Sequence, residues 1–209
     1  MITKALVVRR IREMLLLAAA AGVSAACGAS RPVKYYALDV APQPAQTASP
    51  QFPVTLLVAR VAATHLYRDD RLVYGVSAEQ LGTYEYHRWS EPPVDMIQDS
   101  LIESLRSSKQ YRSVEPVASN LRGEYLVRAR LLALDEVDKP QLAARFSIEM
   151  ELYDTKSGAT VWSDSFAHDA PVNGKKVEDV VAALDQNVKA GMNQLASDLS
   201  QYFASHPAK

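Results

Sequence analysis

One cysteine, Cys27, occurs in 209 residues, so an internal disulfide is excluded and no cluster of thiolates can hold a metal. Charge of one sign is missing too. Lys and Arg number 23 against 24 Asp and Glu, a formal net charge of −1, whereas a surface that neutralises nucleic acid is normally basic. There is no apolar run near the roughly 20 residues of a membrane-spanning helix; Met14 to Val23 has ten. The glycine-rich patterns that cradle phosphate, G-x-x-x-x-G-K-[ST] and G-x-G-x-x-G, do not occur, nor does the zinc-protease pattern H-E-x-x-H. Gly-x-Ser-x occurs at Gly22 to Ala25, inside the N-terminal segment, and again from Gly28 and Gly75, but never with the closing glycine of a nucleophile elbow. Four histidines, His65, His87, His168 and His206, are scattered, without a second ligand at helical spacing. What is present, at 48% hydrophobic and 22% charged residues, is enough for one folded domain with a core of its own.

The first 27 residues set themselves apart. Lys4, Arg9, Arg10 and Arg12 form a basic start, Met14 to Val23 the apolar centre, and Ser24-Ala25-Ala26 a small-residue exit ending at Cys27. Basic, apolar and small in that order is the pattern of a secretory signal peptide, 1–26. A lone cysteine directly behind such a site is where a bacterial lipoprotein is cut and acylated. The segment resembles a lipobox, with Ser24 in place of the usual Leu; the alternative is ordinary cleavage that leaves a free thiol. Each buried methylene of a palmitate-type chain contributes about 0.8 kcal/mol, so two or three chains hold a protein at a membrane. Gly28 follows Cys27; Asp, the residue that commonly retains lipoproteins at the inner membrane, is absent there, which favours the outer membrane. Arg9-Arg10 reads as part of the basic start, with twin-arginine export as the alternative. Removing 1–26 takes away four basic and one acidic side chain and leaves 183 residues with 19 basic against 23 acidic, a net charge of −4.

Residues 27–34 then read as the lipidated cysteine and a tether, and 35–209 as the domain. Tyr35-Tyr36-Ala37-Leu38 is a first strand, and 41–53, with four prolines, an extended loop. Val54 to Val61, Arg71 to Tyr74 and Thr83 to Tyr86 suit further strands. Ser90 is the expected cap of a helix whose first turn holds Pro92 or Pro93, with Val94, Ile97, Leu101 and Leu105 on its apolar face. Tyr111 to Val114 is a short strand, with Glu115-Pro116 its exit. Residues 123–170 read as three antiparallel strands, since Phe146 to Leu152 alternates strictly. A turn centred on Lys139-Pro140 sets Arg128 opposite Glu151 and Arg130 opposite Glu149, two charge pairs worth roughly 0.2–1 kcal/mol each. Asp154 to Gly158 is a second hairpin turn, with Val161, Trp162 and Phe166 packing after it. Apolar residues from Val177 to Phe203 recur every three or four positions, a helix of roughly 28 residues. The order of elements reads as α+β: a mixed, largely antiparallel sheet packed by two main helices, in a single domain.

Candidate chemistry is sparse. Glu149 and Glu151 share a strand face about 7 Å apart, a spacing open to glycoside hydrolysis, but a solvated face paired with Arg128 and Arg130 accounts for them without catalysis. Tyr84, Tyr86 and Trp89, followed by Glu91, form an aromatic stretch suited to an interaction surface; with no basic groove beside it, nucleic acid is not its partner. The other reading of the stretch is a strand-to-helix junction with Trp89 in the core. No cofactor is implied.

Taken together, these segments are similar to the ABC-type transport auxiliary lipoproteins, the family of the PqiC lipoprotein. The matching residues are Cys27 with its signal, Tyr35 to Leu38, Leu57-Val58-Ala59-Arg60-Val61, Arg71 to Tyr74 and, most strongly, Tyr84 to Pro92 with the Leu101/Leu105 helix behind it, of which the junction Trp89-Ser90-Glu91-Pro92 is the specific part. The resemblance implies a non-enzymatic subunit on the periplasmic face of the outer membrane, held by its lipid anchor. It also implies service to a transporter built with an MCE-domain (mammalian cell entry) periplasmic protein, which carries lipid between membranes while another chain hydrolyses ATP. A ring of copies, a homo-oligomer, would suit a docking platform for a tunnel. The second reading is a stand-alone structural or envelope-stress lipoprotein with no transport role.

Overall fold

The strictly alternating segment Phe146 to Leu152 lies at the centre of the structure, a computed structural model that describes residues 31–39, 51–75, 80–117, 121–138 and 140–206. All its elements belong to one unit, Val33–Lys209; the other unit, Met1–Pro32, falls almost wholly outside the described residues. Outside them too lie the expected signal 1–26, Cys27, residues 41–50 of the proline-rich loop and Lys139 of the turn. Three long antiparallel strands, β7 (Tyr125–Val137), β8 (Ala143–Asp154) and β9 (Ala159–Pro171), form a meander. Arg128 stands opposite Glu151 and Arg130 opposite Glu149, the expected register. No ion pair joins either couple; instead the Arg128 guanidinium lies over the Tyr153 ring, 4.5 Å from its centroid, a cation–π contact that keeps it beside the strand. The second turn forms as expected, with Gly158 at φ 74° and the Asp154 carboxylate accepting the N–H groups of Lys156 and Ser157 at 2.8 and 3.3 Å. Glycine suits that left-handed φ.

The free edge of β7 is tiled by three short parallel strands in succession. β2 (Phe52–Val58) pairs its first residues, β3 (Ala62–Ala63) its middle, and β4 (Arg71–Gly75) its end. A 3₁₀ turn, His65–Arg68, links the last two. The sheet forks there: β6 (Tyr111–Pro116) lies beyond β2, whereas β5 (Leu81–Trp89) and then β1 (Lys34–Tyr36) lie beyond β4, giving the order β1-β5-β4-β7-β2-β6. The two longest ladders are antiparallel and the short ones, except β4 with β5, parallel, a mixed sheet in a single α+β domain. β2 starts earlier than expected. Phe52, assigned to the loop by its prolines, is buried between Tyr111 and Phe203, ring centroids 5.9 and 5.5 Å away; a tertiary aromatic cluster outweighs the local proline signal.

α1 (Pro93–Ser107) runs from one branch of the fork to the other and buries Val94, Ile97, Leu101 and Leu105, each worth roughly 1.5–3 kcal/mol. Ser90 is not its cap. Pro92 takes that position at φ −53° and ψ 137°, because a proline at 93 holds the preceding residue extended and puts the first helical turn three residues past Ser90. α2 (Val177–Ser205) packs its apolar stripe on β8 and β9. Two features seat it. Asn187 is buried and its Nδ2 donates to the carbonyls of Ala144 and His168 at 2.9 and 2.8 Å. At Gly191 a Cβ would stand 2.7 Å from the Phe166 ring and 2.8 Å from Phe146, so the missing side chain sets how closely helix and sheet approach. Among the described residues no helix is long and apolar enough to cross a membrane.

A candidate partner-binding site at the start of α1

The aromatic stretch is built by a bulge. Between the pairs Val73–Thr83 and Arg71–Arg88, β4 contributes Leu72 alone while β5 contributes Tyr84, Glu85, Tyr86 and His87. A bulge re-aims side chains that simple alternation would send to opposite faces. Tyr84 and His87 therefore meet, ring centroids 5.4 Å apart at 70°, and continue to Tyr74 on one side, 5.0 Å away, and Tyr36 on the other, 5.8 Å away. Gly82 permits this: a Cβ there would stand 2.5 Å from the Tyr74 ring. The Tyr84 hydroxyl donates to Glu136 at 2.8 Å; burial first, and then that carboxylate, push the phenol well above its ordinary range. Tyr36 shares its hydroxyl between His87 Nδ1 at 2.8 Å and Glu178 at 3.3 Å. The ladder fastens the β1 and β5 branch to the start of α2.

The four residues singled out from the sequence occupy different places. Trp89 is 1% exposed, the end of β5 turned into the core, with Nε1 lacking an acceptor. Tyr84 and Tyr86 are half-buried in the bulge, and Glu91 is exposed beside the first turn of α1. The reading with Trp89 as a core residue at a strand-to-helix junction is the one its burial matches. Glu149 and Glu151 lie on the exposed face of β8.

The surface that the sequence did not single out lies next to that junction. Between β2 and β3 the chain leaves the ladder, and Arg60 projects from the gap with its side chain 77% exposed, reaching Asp95 at 3.2 Å. Two clefts open on either side of this pair. One, of about 450 Å³, is lined by Val61, Ala63, Arg68, Pro92 and Val94; the other, of about 520 Å³, by Val58, Gln98, Pro116 and Val117. Apolar walls with a guanidinium at the rim suit an extended peptide that places apolar side chains inside and a carboxylate against Arg60 or Arg68. Two of the sequence segments that carry the family resemblance contribute to this spot, 57–61 through Val58 to Val61 and 89–92 through Pro92. Either one alone is too short to announce a site, and only the fold brings them together.

The fold and its surface define a single α+β domain with two clefts flanking a strand-to-helix junction. A family model described as ABC-type transport auxiliary lipoprotein component matches residues 36–196, and the chain belongs to that family. Among solved structures it is similar to protein XCC0632 from Xanthomonas campestris, with a TM-score of 0.74 and 22% identity over 83% of this chain and 99% of that one. It is also similar to an uncharacterized protein, with a TM-score of 0.64 and 16% identity over 81% of this chain and 99% of the other. At these identities the likeness is one of fold. No curated protein matches the chain.

Proposed function

We propose that the protein is a non-enzymatic lipoprotein, acylated at Cys27 and held on the periplasmic face of the outer membrane. There it docks the MCE-domain protein of an ABC-type intermembrane lipid transporter. Membership of a transport auxiliary family carries the reading. Cys27 behind its small-residue exit supplies the anchor, and Gly28 in place of Asp supports the outer membrane. The chain's contribution is positional: acyl chains fix one end, and the clefts on either side of Arg60 and Asp95 offer a partner chain apolar walls with a cationic rim. Glu91, exposed at the mouth of the junction, sets an acidic group beside that rim.

The test is photo-cross-linking in cells from positions 60 and 91, with position 132 on the exposed face of β7 as the control. Recovery of an MCE-domain protein from the first two supports the reading. Consistent recovery of none, with the protein intact in the envelope, overturns it and leaves the stand-alone lipoprotein. A neighbouring set of permease, ATPase and MCE genes would favour the transport role on separate grounds.

A further inference from the structure

We propose that the edge strand β1 rests on the phospholipid surface that holds the Cys27 acyl chains, with Val33 and Tyr35 entering the headgroup layer. The proposal depends on the lipid anchor set out above. Among the described residues β1 ends the strand order and pairs with β5 alone. Its alternate residues have opposite fates. Lys34 and Tyr36 turn towards α2, where Lys34 Nζ meets Glu178 at 2.7 Å and the Tyr36 hydroxyl reaches the same oxygen. Tyr35 takes the other face and is 64% exposed, and Val33, two residues earlier, is 39% exposed. An apolar side chain just before an edge strand and a tyrosine on it, both left in water, form an arrangement suited to the bilayer interface, where an aromatic body is buried and its hydroxyl stays wet.

Chain length fixes which surface is near. Five residues separate Cys27 from Val33, so even fully extended the six chain steps hold this edge within about 20 Å of the acylated cysteine. A contact too weak to recruit a free protein then becomes intramolecular, at a high effective concentration. Charge points the same way. Arg88 lies directly opposite Tyr35, and Arg71 directly opposite Arg88, two like charges in register, which is unfavourable unless anions sit beside them. Asp70 answers Arg88 at 2.7 Å. Arg71 is exposed with the Asp69 carboxylate in its field, and a lipid phosphate can reach it from the solvent side. Folding alone therefore leaves an aromatic, an aliphatic and a cation together, beside the tether.

The acylated protein carrying Tyr35→Cys, labelled there with an environment-sensitive dye, is reconstituted in vesicles of phosphatidylethanolamine and phosphatidylglycerol; Leu132→Cys on the far part of β7 serves as reference. The expected result is a blue shift at position 35, with quenching by headgroup-labelled lipid and protection from aqueous iodide, and neither change at 132. Val33→Asp combined with a charged label at 35 should abolish the shift while the protein still floats with the vesicles. Equal iodide quenching at 35 and 132 in floated protein overturns the proposal and leaves the anchor standing. A concentration-dependent shift without vesicles also overturns it, showing that a second copy covers the strand. If the protein fails to float and Cys27→Ala behaves identically, the anchor itself is refuted.

Discussion

Asp135→Asn should stabilise the protein at neutral pH and leave it unchanged in acid. Asp135 is 2% exposed. Its Oδ1 accepts the Tyr67 hydroxyl at 3.0 Å, and its Oδ2 has no partner. Arg145 stands directly opposite on β8, but its guanidinium is held by both oxygens of Asp169, at 2.9 and 3.0 Å. Burial therefore wins over the Tyr67 hydrogen bond and the partial attraction of Arg145, and the carboxyl is pushed up from 3.8 to about 6. Below pH 4 both folded and unfolded chains carry the proton and its contribution is fully present. Between about pH 4 and 6 the folded protein keeps a proton that the unfolded chain has released, so stability falls as pH rises, and is lost once the folded group ionises. A rise of this size, at about 1.4 kcal/mol for each tenfold change in proton affinity, amounts to about 3 kcal/mol. Asparagine resembles the protonated acid and keeps an oxygen for Tyr67, so it escapes this loss.

Urea denaturation of the parent and the variant, run side by side from pH 4 to pH 8, isolates the group, because every other titration is common to both. The expected difference grows from near zero at pH 4 to about 3 kcal/mol in favour of the variant above pH 7, or roughly 6–12 °C in Tm for a domain of this size. Parallel curves across the whole range would refute the reasoning. So would a variant less stable by a constant amount, which would show that the ionised form is held by groups other than Tyr67 and Arg145.

The remaining predictions concern packing and the cleft. Gly191→Ala should lower stability by about 1–3 kcal/mol in urea, because overpacking against Phe146 and Phe166 exceeds the roughly 1 kcal/mol of helix propensity gained. Trp89→Ala should lose about 3–5 kcal/mol, while Trp89→Phe, which also removes the unpartnered indole N–H, should lose much less and leave cross-linking at positions 60 and 91 unchanged. Arg60→Glu should abolish cross-linking from position 91 with Tm moved by less than a few degrees, since an ion pair this exposed contributes at most about 1 kcal/mol. Protection of the β1 amides from hydrogen exchange should persist down to about pH 3: the Lys34 hydrogen bond holds the Glu178 carboxyl down at about 2, so the clasp is present above the unfolded value and lost only as pH falls through the folded one.

Legibility followed the range of the interactions. The β7–β8 register could be read because two arginines and two glutamates mark one face of each strand, and α2 because its apolar residues repeat along the whole helix. Gly158 was legible from turn chemistry alone. The bulge at 84–87 was not, since strict alternation assumes one residue against one. Ser90 resembles a cap because the cap rule looks at residue type, while the Pro92-Pro93 pair governs the backbone. Phe52 reads as loop because its partners, Tyr111 and Phe203, are remote in sequence. The candidate clefts were illegible for the same reason, their walls coming from 58–63, Arg68, 92–98 and 116–117.

That cleft follows from how the sheet is completed. β7 runs for 13 residues, whereas its partners β2, β3 and β4 have 7, 2 and 5, so one edge must be tiled and every joint takes backbone out of the ladder. Buried amides at a joint need new acceptors. Ala59 N–H finds the Val127 carbonyl at 2.9 Å and Val61 N–H the Gln98 side chain at 3.4 Å, which leaves Arg60 between them pointing outwards. A single long strand along β7 would satisfy the ladder without a gap, and would present neither the cleft nor the guanidinium. The same tiling splits the sheet, and the split is bridged by α1, whose first turn forms the opposite wall. Sheet completion and the candidate docking surface therefore arise from one structural choice. A substitution that lengthened β2 into β3 would keep the core of the meander and erase the site.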